Sequence, residues 1–200
     1  TGTNVTTLTI NKPTGVVTGD IMLVNITSTD NNAINNASLA GWTLISGGNL
    51  GGAGNRRIAT LYKVALAGEP ASYTFTLGAS SGSINDTVGA IIAFSGVDTT
   101  SPFDVATGAL NFSNSATVTA TGITTVTNNA AVIMLGGAGG STWSAWTTTS
   151  PGGLTELYDS QNIVSIGVTT LIGVTSVCTA SILQTFSFYR LLHVSRFSLY

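Results

Sequence analysis

Short runs of β-branched and aromatic residues, each bounded by Gly, Asn, Ser or Pro, recur along the whole chain. Such runs are typical of β-strands joined by tight turns. Residues 21–28 are one example, and residues 72–77 are another, in which Tyr73 and Phe75 alternate with Thr and Ser. No strand pattern alternates with a helix pattern, which disfavours a parallel doubly wound fold. The sequence therefore predicts an all-β chain, an antiparallel β-sandwich of jelly-roll or immunoglobulin-like type with about ten strands.

Two segments carry more specific expectations. Residues 88–94 form a continuous apolar run, which predicts a strand in the middle of a sheet with both faces covered. Residues 136–140 are Gly-Gly-Ala-Gly-Gly. They open no helix and so lack the geometry of a phosphate-binding loop, which predicts a flexible turn.

Charge is scarce in this sequence. Only 7% of the 200 residues are charged, against roughly 25% in soluble domains. The surface must be filled by Thr, Ser, Asn, Gly and Ala, which give little electrostatic protection against self-association. The six basic residues are scattered, so the sequence predicts no nucleic-acid partner, and no apolar run is long enough to span a membrane. We expect a homo-oligomer or a larger assembly.

Residues for catalysis are few. Cys178 is the only cysteine and lies in an apolar run, which should raise the pKa of its thiol. His193 is the only histidine and has no acidic neighbour in the sequence. The sequence therefore does not indicate the combination of base, nucleophile and orienting acid that a hydrolase needs. The sequence predicts no enzymatic activity and no cofactor.

Five short segments are ordered and spaced in a recognisable way, namely residues 19–23, 41–45, 61–65, 69–76 and 89–98. Together they resemble a loosely defined group of β-sandwich modules found in secreted bacterial surface proteins and in phage structural proteins. The resemblance spans roughly residues 15–175 and implies a β-sandwich fold, with no shared enzymatic activity. It implies an extracellular, cell-surface or virion location, and the start at Thr1 rather than Met fits a processed or excised chain.

Three regions follow from these patterns. Residues 1–14 form an N-terminal strand or arm, residues 15–177 the sandwich domain, and residues 178–200 an apolar C-terminal strand or assembly segment. The arm is an uncharged strand pattern until Lys12, which predicts pairing with another strand at or beyond the edge of its own domain. The alternative for the C-terminal segment is a central strand within the same sandwich. The predicted assembly contacts are Val5, Leu8, Ile10, Phe197 and Leu199.

Asp98 and Asp104 flank a Thr-Thr-Ser-Pro-Phe segment. Two carboxylates with nearby carbonyls could hold a hard cation such as Ca²⁺. The alternative is a turn, because Asp side chains accept hydrogen bonds from the backbone amides that follow them. We expect the turn and no metal site.

Trp143 and Trp146 lie in a Gly-, Ser- and Thr-rich segment, where exposed rings could stack on a glycan. Triplets that permit N-glycosylation begin at Asn4, Asn36, Asn85 and Asn111. A further triplet begins at Asn25, within a predicted strand.

The sequence thus predicts a non-enzymatic structural subunit of an extracellular or virion-surface assembly, such as a filament, a surface layer, or a capsid or tail component. The alternative is a glycan-binding or adhesive module.

Overall fold

The computed structural model describes thirteen stretches of the chain: residues 2–3, 6–28, 40–51, 57–76, 86–105, 119–120, 126, 131–139, 155–162, 168–175, 180–181, 186–191 and 196–198. These residues form strands and turns and contain no helix. Every strand pair among them is antiparallel. The all-β antiparallel class predicted from the sequence is confirmed for this part of the chain. No helix in it is long and apolar enough to cross a bilayer.

The strands of the first half of the chain are β1 (Gly2–Thr3), β2 (Thr7–Asn11), β3 (Ile21–Ser28), β4 (Thr43–Gly51), β5 (Arg57–Val64), β6 (Ser72–Thr76) and β7 (Asp86–Ser95). Those of the second half are β8 (Thr119–Ala120), β9 (Ala131–Gly139), β10 (Thr155–Asn162), β11 (Val168–Thr175), β12 (Ala180–Ser181), β13 (Phe186–Leu191) and β14 (Arg196–Ser198).

The largest sheet has the order β1-β7-β3-β5-β4, and β14 also pairs with β7. A second sheet has the order β10-β11-β9-β13. Two smaller sheets consist of β2 with β6 and of β8 with β12. We call the largest one the central sheet, because the β2–β6 sheet packs on one of its faces and the sheet that contains β9 packs on the other.

Strand β3 is the middle of the fold. It pairs with β5 on one side and β7 on the other, and all eight of its residues are buried. Met22, Val24 and Ile26 pack with the β2–β6 sheet, whereas Ile21 and Leu23 pack with β9. This alternation places adjacent β3 side chains in two different cores. The expectation that residues 88–94 lie in mid-sheet also holds, since β7 is paired on both edges and lines both cores.

The first two strands and the last strand of the chain pair with β7 or β6. β1 pairs with the start of β7 and β14 pairs with its end, while β2 pairs with β6. The described residues of the C-terminal region lie in two sheets. β13 pairs with β9, whereas β14 pairs with β7 in the central sheet, so the two are not parts of one straight strand.

The glycine-rich run after residue 135 is part of a strand, so the predicted flexible turn is wrong. Gly136 and Gly137 lie in β9, which is paired on both sides by β11 and β13. A Cβ built on Gly137 would collide with the hydroxyl of Thr27 and come within 2.9 Å of Ile58 Cδ1. Glycine is therefore needed here because β9 crosses β3 too closely for any side chain.

We expect Gly137→Ala to lower the free energy of unfolding by about 1–3 kcal/mol, the usual cost of overpacking a core. Two of the three atoms that the new Cβ would overlap belong to Thr27. Gly137→Ala should therefore lower the free energy of unfolding less in a Thr27→Ala background than in the wild type. Urea unfolding of the two single variants and the double variant measures this coupling. Additive losses would contradict the close approach of β9 to β3.

Candidate functional site

An open cleft of about 310 Å³ lies between β6 and the segment that leads into β4. Small, aromatic and polar residues line it, namely Ala40, Trp42, Lys63, Pro70, Ser72, Tyr73, Thr74 and Phe75. Four of these are consecutive residues of β6. Because successive strand residues point to opposite faces, a cleft lined by all four runs along the edge of β6 rather than over one face.

The ring of Trp42 packs against two other aromatic rings that line this cleft. The ring centroid of Trp42 lies 5.1 Å from that of Tyr73 and 5.5 Å from that of Phe75, both in edge-to-face arrangements. Each of the three residues is less than a tenth exposed. Such contacts stabilise the core and leave little ring surface for stacking on a sugar.

The indole of Trp42 also carries a donor that is not satisfied. Its Nε1 is buried and has no hydrogen-bond partner among the described residues. An indole nitrogen can only donate, and a buried donor left unpaired costs about 1–3 kcal/mol.

Glu69 links two of the residues that line the cleft, Lys63 and Tyr73. Its carboxylate accepts hydrogen bonds from Lys63 Nζ at 2.7 Å, from the Tyr73 hydroxyl at 2.6 Å and from the Leu66 amide at 2.9 Å. Lys63 Nζ also lies 5.4 Å from the centroid of the Tyr73 ring, within the range of a cation–π contact. One carboxylate thus ties together the two strands that flank it.

The turn between β5 and β6 brings these groups together. Gly68 in this turn has a φ of 77°, which glycine adopts without the steric cost of a Cβ. The chain therefore reverses tightly after Val64, and Glu69 returns beside Lys63. Gly41 allows the segment before β4 to lie close to Lys63, because a Cβ at this position would be only 3.2 Å from Lys63 Cε.

The network shifts the pKa values of its members. Burial alone would raise the pKa of Glu69, but hydrogen bonds from Lys63, Tyr73 and Leu66, with the positive charge of Lys63, hold it below the ordinary value of 4.5. Burial, together with the hydrogen bond to the Glu69 carboxylate and its charge, raises the pKa of Tyr73. The phenol is therefore protonated and donates across the whole physiological range.

This cluster is neutral and satisfied from within. The lysine charge is balanced by Glu69, and Glu69 is occupied by three donors. Such an arrangement fixes the β5–β6 turn and the edge of β6. Among the described residues, no three His, Cys, Asp or Glu side chains come together in a way that could hold a metal ion.

The predicted N-terminal assembly residues have a clear place where they are described. Leu8 is 3% exposed and belongs to the core between the β2–β6 sheet and the central sheet. Ile10 packs against the same core. Val5 and Leu199 lie outside the described residues. Phe197 is opposite Phe94 in the pairing of β14 with β7, and its side chain is outside the described part.

Asp98 caps a turn. Its Oδ1 accepts hydrogen bonds from the amides of Thr100 and Ser101 at 2.8 and 3.3 Å. Asp104 accepts a hydrogen bond from the amide of Val126 at 3.0 Å. Asp98 thus has the role that the turn interpretation predicts, whereas Asp104 bonds to a segment 22 residues further along the chain.

The other sequence candidates cannot be placed. Trp143 and Trp146, and the glycosylation candidates Asn4, Asn36, Asn85 and Asn111, lie outside the described residues, as do Cys178 and His193. Asn25 is fully buried and hydrogen-bonded. A glycan cannot attach there in the folded protein.

Sequence reasoning missed the Lys63, Glu69 and Tyr73 cluster. A usable signal was present, because opposite charges lie on either side of a glycine turn between two predicted strands. The chain matches no model of a known protein family, and it shows no significant similarity to curated proteins or to solved structures. The site must therefore be interpreted from its own geometry.

We expect Glu69→Gln to lower the free energy of unfolding by roughly 1–3 kcal/mol at neutral pH, because a charged acceptor of three hydrogen bonds is lost. The folded-state pKa of Glu69 lies below its ordinary value, so its contribution is complete above about pH 4.5 and is lost as the pH falls through the folded-state pKa. The difference from the wild type should therefore narrow in acid.

Urea unfolding at neutral pH and near pH 3 measures this difference. Asp98→Asn is the matched control, since asparagine also caps turns and the site is exposed, so a change within about 0.5 kcal/mol is expected. A Glu69→Gln effect of the same size at both pH values would contradict the assigned role of the carboxylate.

Proposed function

We propose that the protein is a non-enzymatic structural subunit of an extracellular or virion-surface assembly, built on a β-sandwich. The candidates include a filament, a surface layer, and a capsid or tail component. The observation that carries this proposal is the uncharged outer face of the β2–β6 sheet.

This outer face consists of alternate residues of the two strands. The residues between them in each strand, among them Leu8, Tyr73 and Phe75, point to the other face and are buried against the central sheet. Thr9 and Thr74 share a hydrogen bond between their hydroxyls at 3.0 Å across the face. The outer face carries no charged side chain and consists of Thr7, Thr9, Asn11, Ser72, Thr74 and Thr76.

A surface of this kind favours association. Soluble monomers usually place charges on small edge sheets to prevent pairing with other copies. With charged residues at 7% of the chain, little repulsion opposes contact between copies. The packing of the β2–β6 sheet over the central sheet supports the sandwich in the proposal.

The polar cluster of the cleft supports a structural role as well. Lys63 and Glu69 neutralise each other, and Tyr73 donates to the same carboxylate. The alternative of a glycan-binding module receives no support from the aromatic rings of the cleft, because Tyr73 and Phe75 pack against Trp42 and all three are buried.

Sedimentation velocity over a range of protein concentrations, with negative-stain electron microscopy, tests the proposal. We expect species larger than one chain that grow with concentration. A single-chain species at every concentration, or one that binds polysaccharide without assembling, would contradict it. Deletion of residues 1–11 should destabilise the subunit itself, because it removes Leu8 from the core.

A further inference from the structure

We infer that the free edge of β6 binds the β6 strand of a second copy of this chain, so that two β2–β6 sheets join across a twofold axis. The inference rests on the proposed function, because it specifies one contact through which such subunits assemble. The product is a four-stranded antiparallel sheet with the order β2-β6-β6-β2.

The register of β2 and β6 shows which backbone groups face outward. Lys12 N donates to Ala71 O at 2.8 Å, and the same register pairs Ile10 with Tyr73. Bonded and non-bonded pairs alternate along an antiparallel ladder, so Tyr73 and Phe75 exchange hydrogen bonds with β2. The N–H and C=O groups of the alternate residues, Ser72, Thr74 and Thr76, point away from β2.

This outward edge is open and unprotected. Among the described residues β6 pairs only with β2, and the cleft runs along the other edge. The strand Ser72–Thr76 contains no charge and no proline, and its pairing with β2 has no bulge. Charges, prolines and bulges are the features by which edge strands usually avoid pairing.

The edge is also complementary to itself. When β6 pairs antiparallel with its copy about Thr74, Thr74 lies opposite Thr74 of the second copy. Ser72 then lies opposite Thr76 of the second copy. Every residue with outward backbone groups meets another of the same kind, so donors meet acceptors along the strand. Pairs of Thr and Ser across neighbouring strands also stabilise a sheet.

The cleft follows this edge of β6. Its lining includes the four consecutive residues from Ser72 to Phe75. The occupant that satisfies an open row of backbone N–H and C=O groups is an extended strand.

Cysteine cross-linking tests the twofold register, in a Cys178→Ser background that has no other thiol. Thr74→Cys should form a covalent dimer on mild oxidation, because opposite Cα atoms about 5.5 Å apart suit a disulfide. Ser72→Cys alone should not, since its copy would lie about 13 Å away. A mixture of Ser72→Cys and Thr76→Cys should give the cross-linked heterodimer.

Proline variants test the hydrogen bonds. Thr74→Pro removes an N–H that does not bond to β2, so the subunit should fold and its dimer dissociation constant should rise at least tenfold. Asp98→Asn, which alters a turn outside the β2–β6 sheet, is the control and should leave that constant unchanged. If Thr74→Pro does not fold, Thr74→Lys places like charges opposite each other and should weaken the dimer in the same way.

The outcomes separate this inference from the proposed function. Larger species that persist in Thr74→Pro and Thr74→Lys, without a Thr74→Cys cross-link, overturn the β6 contact and leave the assembly proposal standing. A wild-type protein that stays a single chain at every concentration overturns both. A cross-link through Ser72→Cys alone overturns the register.

Discussion

The buried amide of Asn25 is the interaction on which the rest of the fold depends. Its Nδ2 donates to the carbonyl of Gly136 at 3.0 Å, and its Oδ1 accepts from the Thr60 hydroxyl at 3.0 Å. Asn25 and Thr60 are fully buried. Hydrogen bonds are stronger in such surroundings, and an unpaired amide is costly, so the bridge fixes how β9 sits on β3. A shift of β9 by one residue would break it.

This constraint positions the surfaces that we propose as contacts between copies. Once β3 is covered on one face by β9, its other face is free for the β2–β6 sheet, whose apolar residues fill the second core. The outer side of that sheet is then uncharged. The Glu69 network holds the β5–β6 turn and so the position of the β6 edge. The position of the proposed assembly surface is therefore determined by the packing of the core and not by a reactive group.

The sequence predicts what depends on local pattern and fails where tertiary contacts decide. The limits of β3 match residues 21–28, because a β-branched run with both faces covered is locally distinctive. The run from Gly136 indicates a turn in isolation, but β11 and β13 pair with it as a strand. Gly137 is required there because Thr27 occupies the space that a side chain would need. The alternation of Leu8 and Ile10 indicates a buried face but not which surface covers it, and here the chain covers it with its own central sheet.

Unfolding of Asn25→Asp tests the account most directly. Aspartate keeps the acceptor for Thr60 but replaces the donor to Gly136 O with a buried charge, so we expect a loss of more than about 3 kcal/mol at neutral pH. Burial raises the pKa of such a carboxyl, and its protonated form can donate, so the loss relative to the wild type should shrink in acid. A variant within about 0.5 kcal/mol of the wild type at neutral pH, a change typical of surface sites, would contradict the bridge.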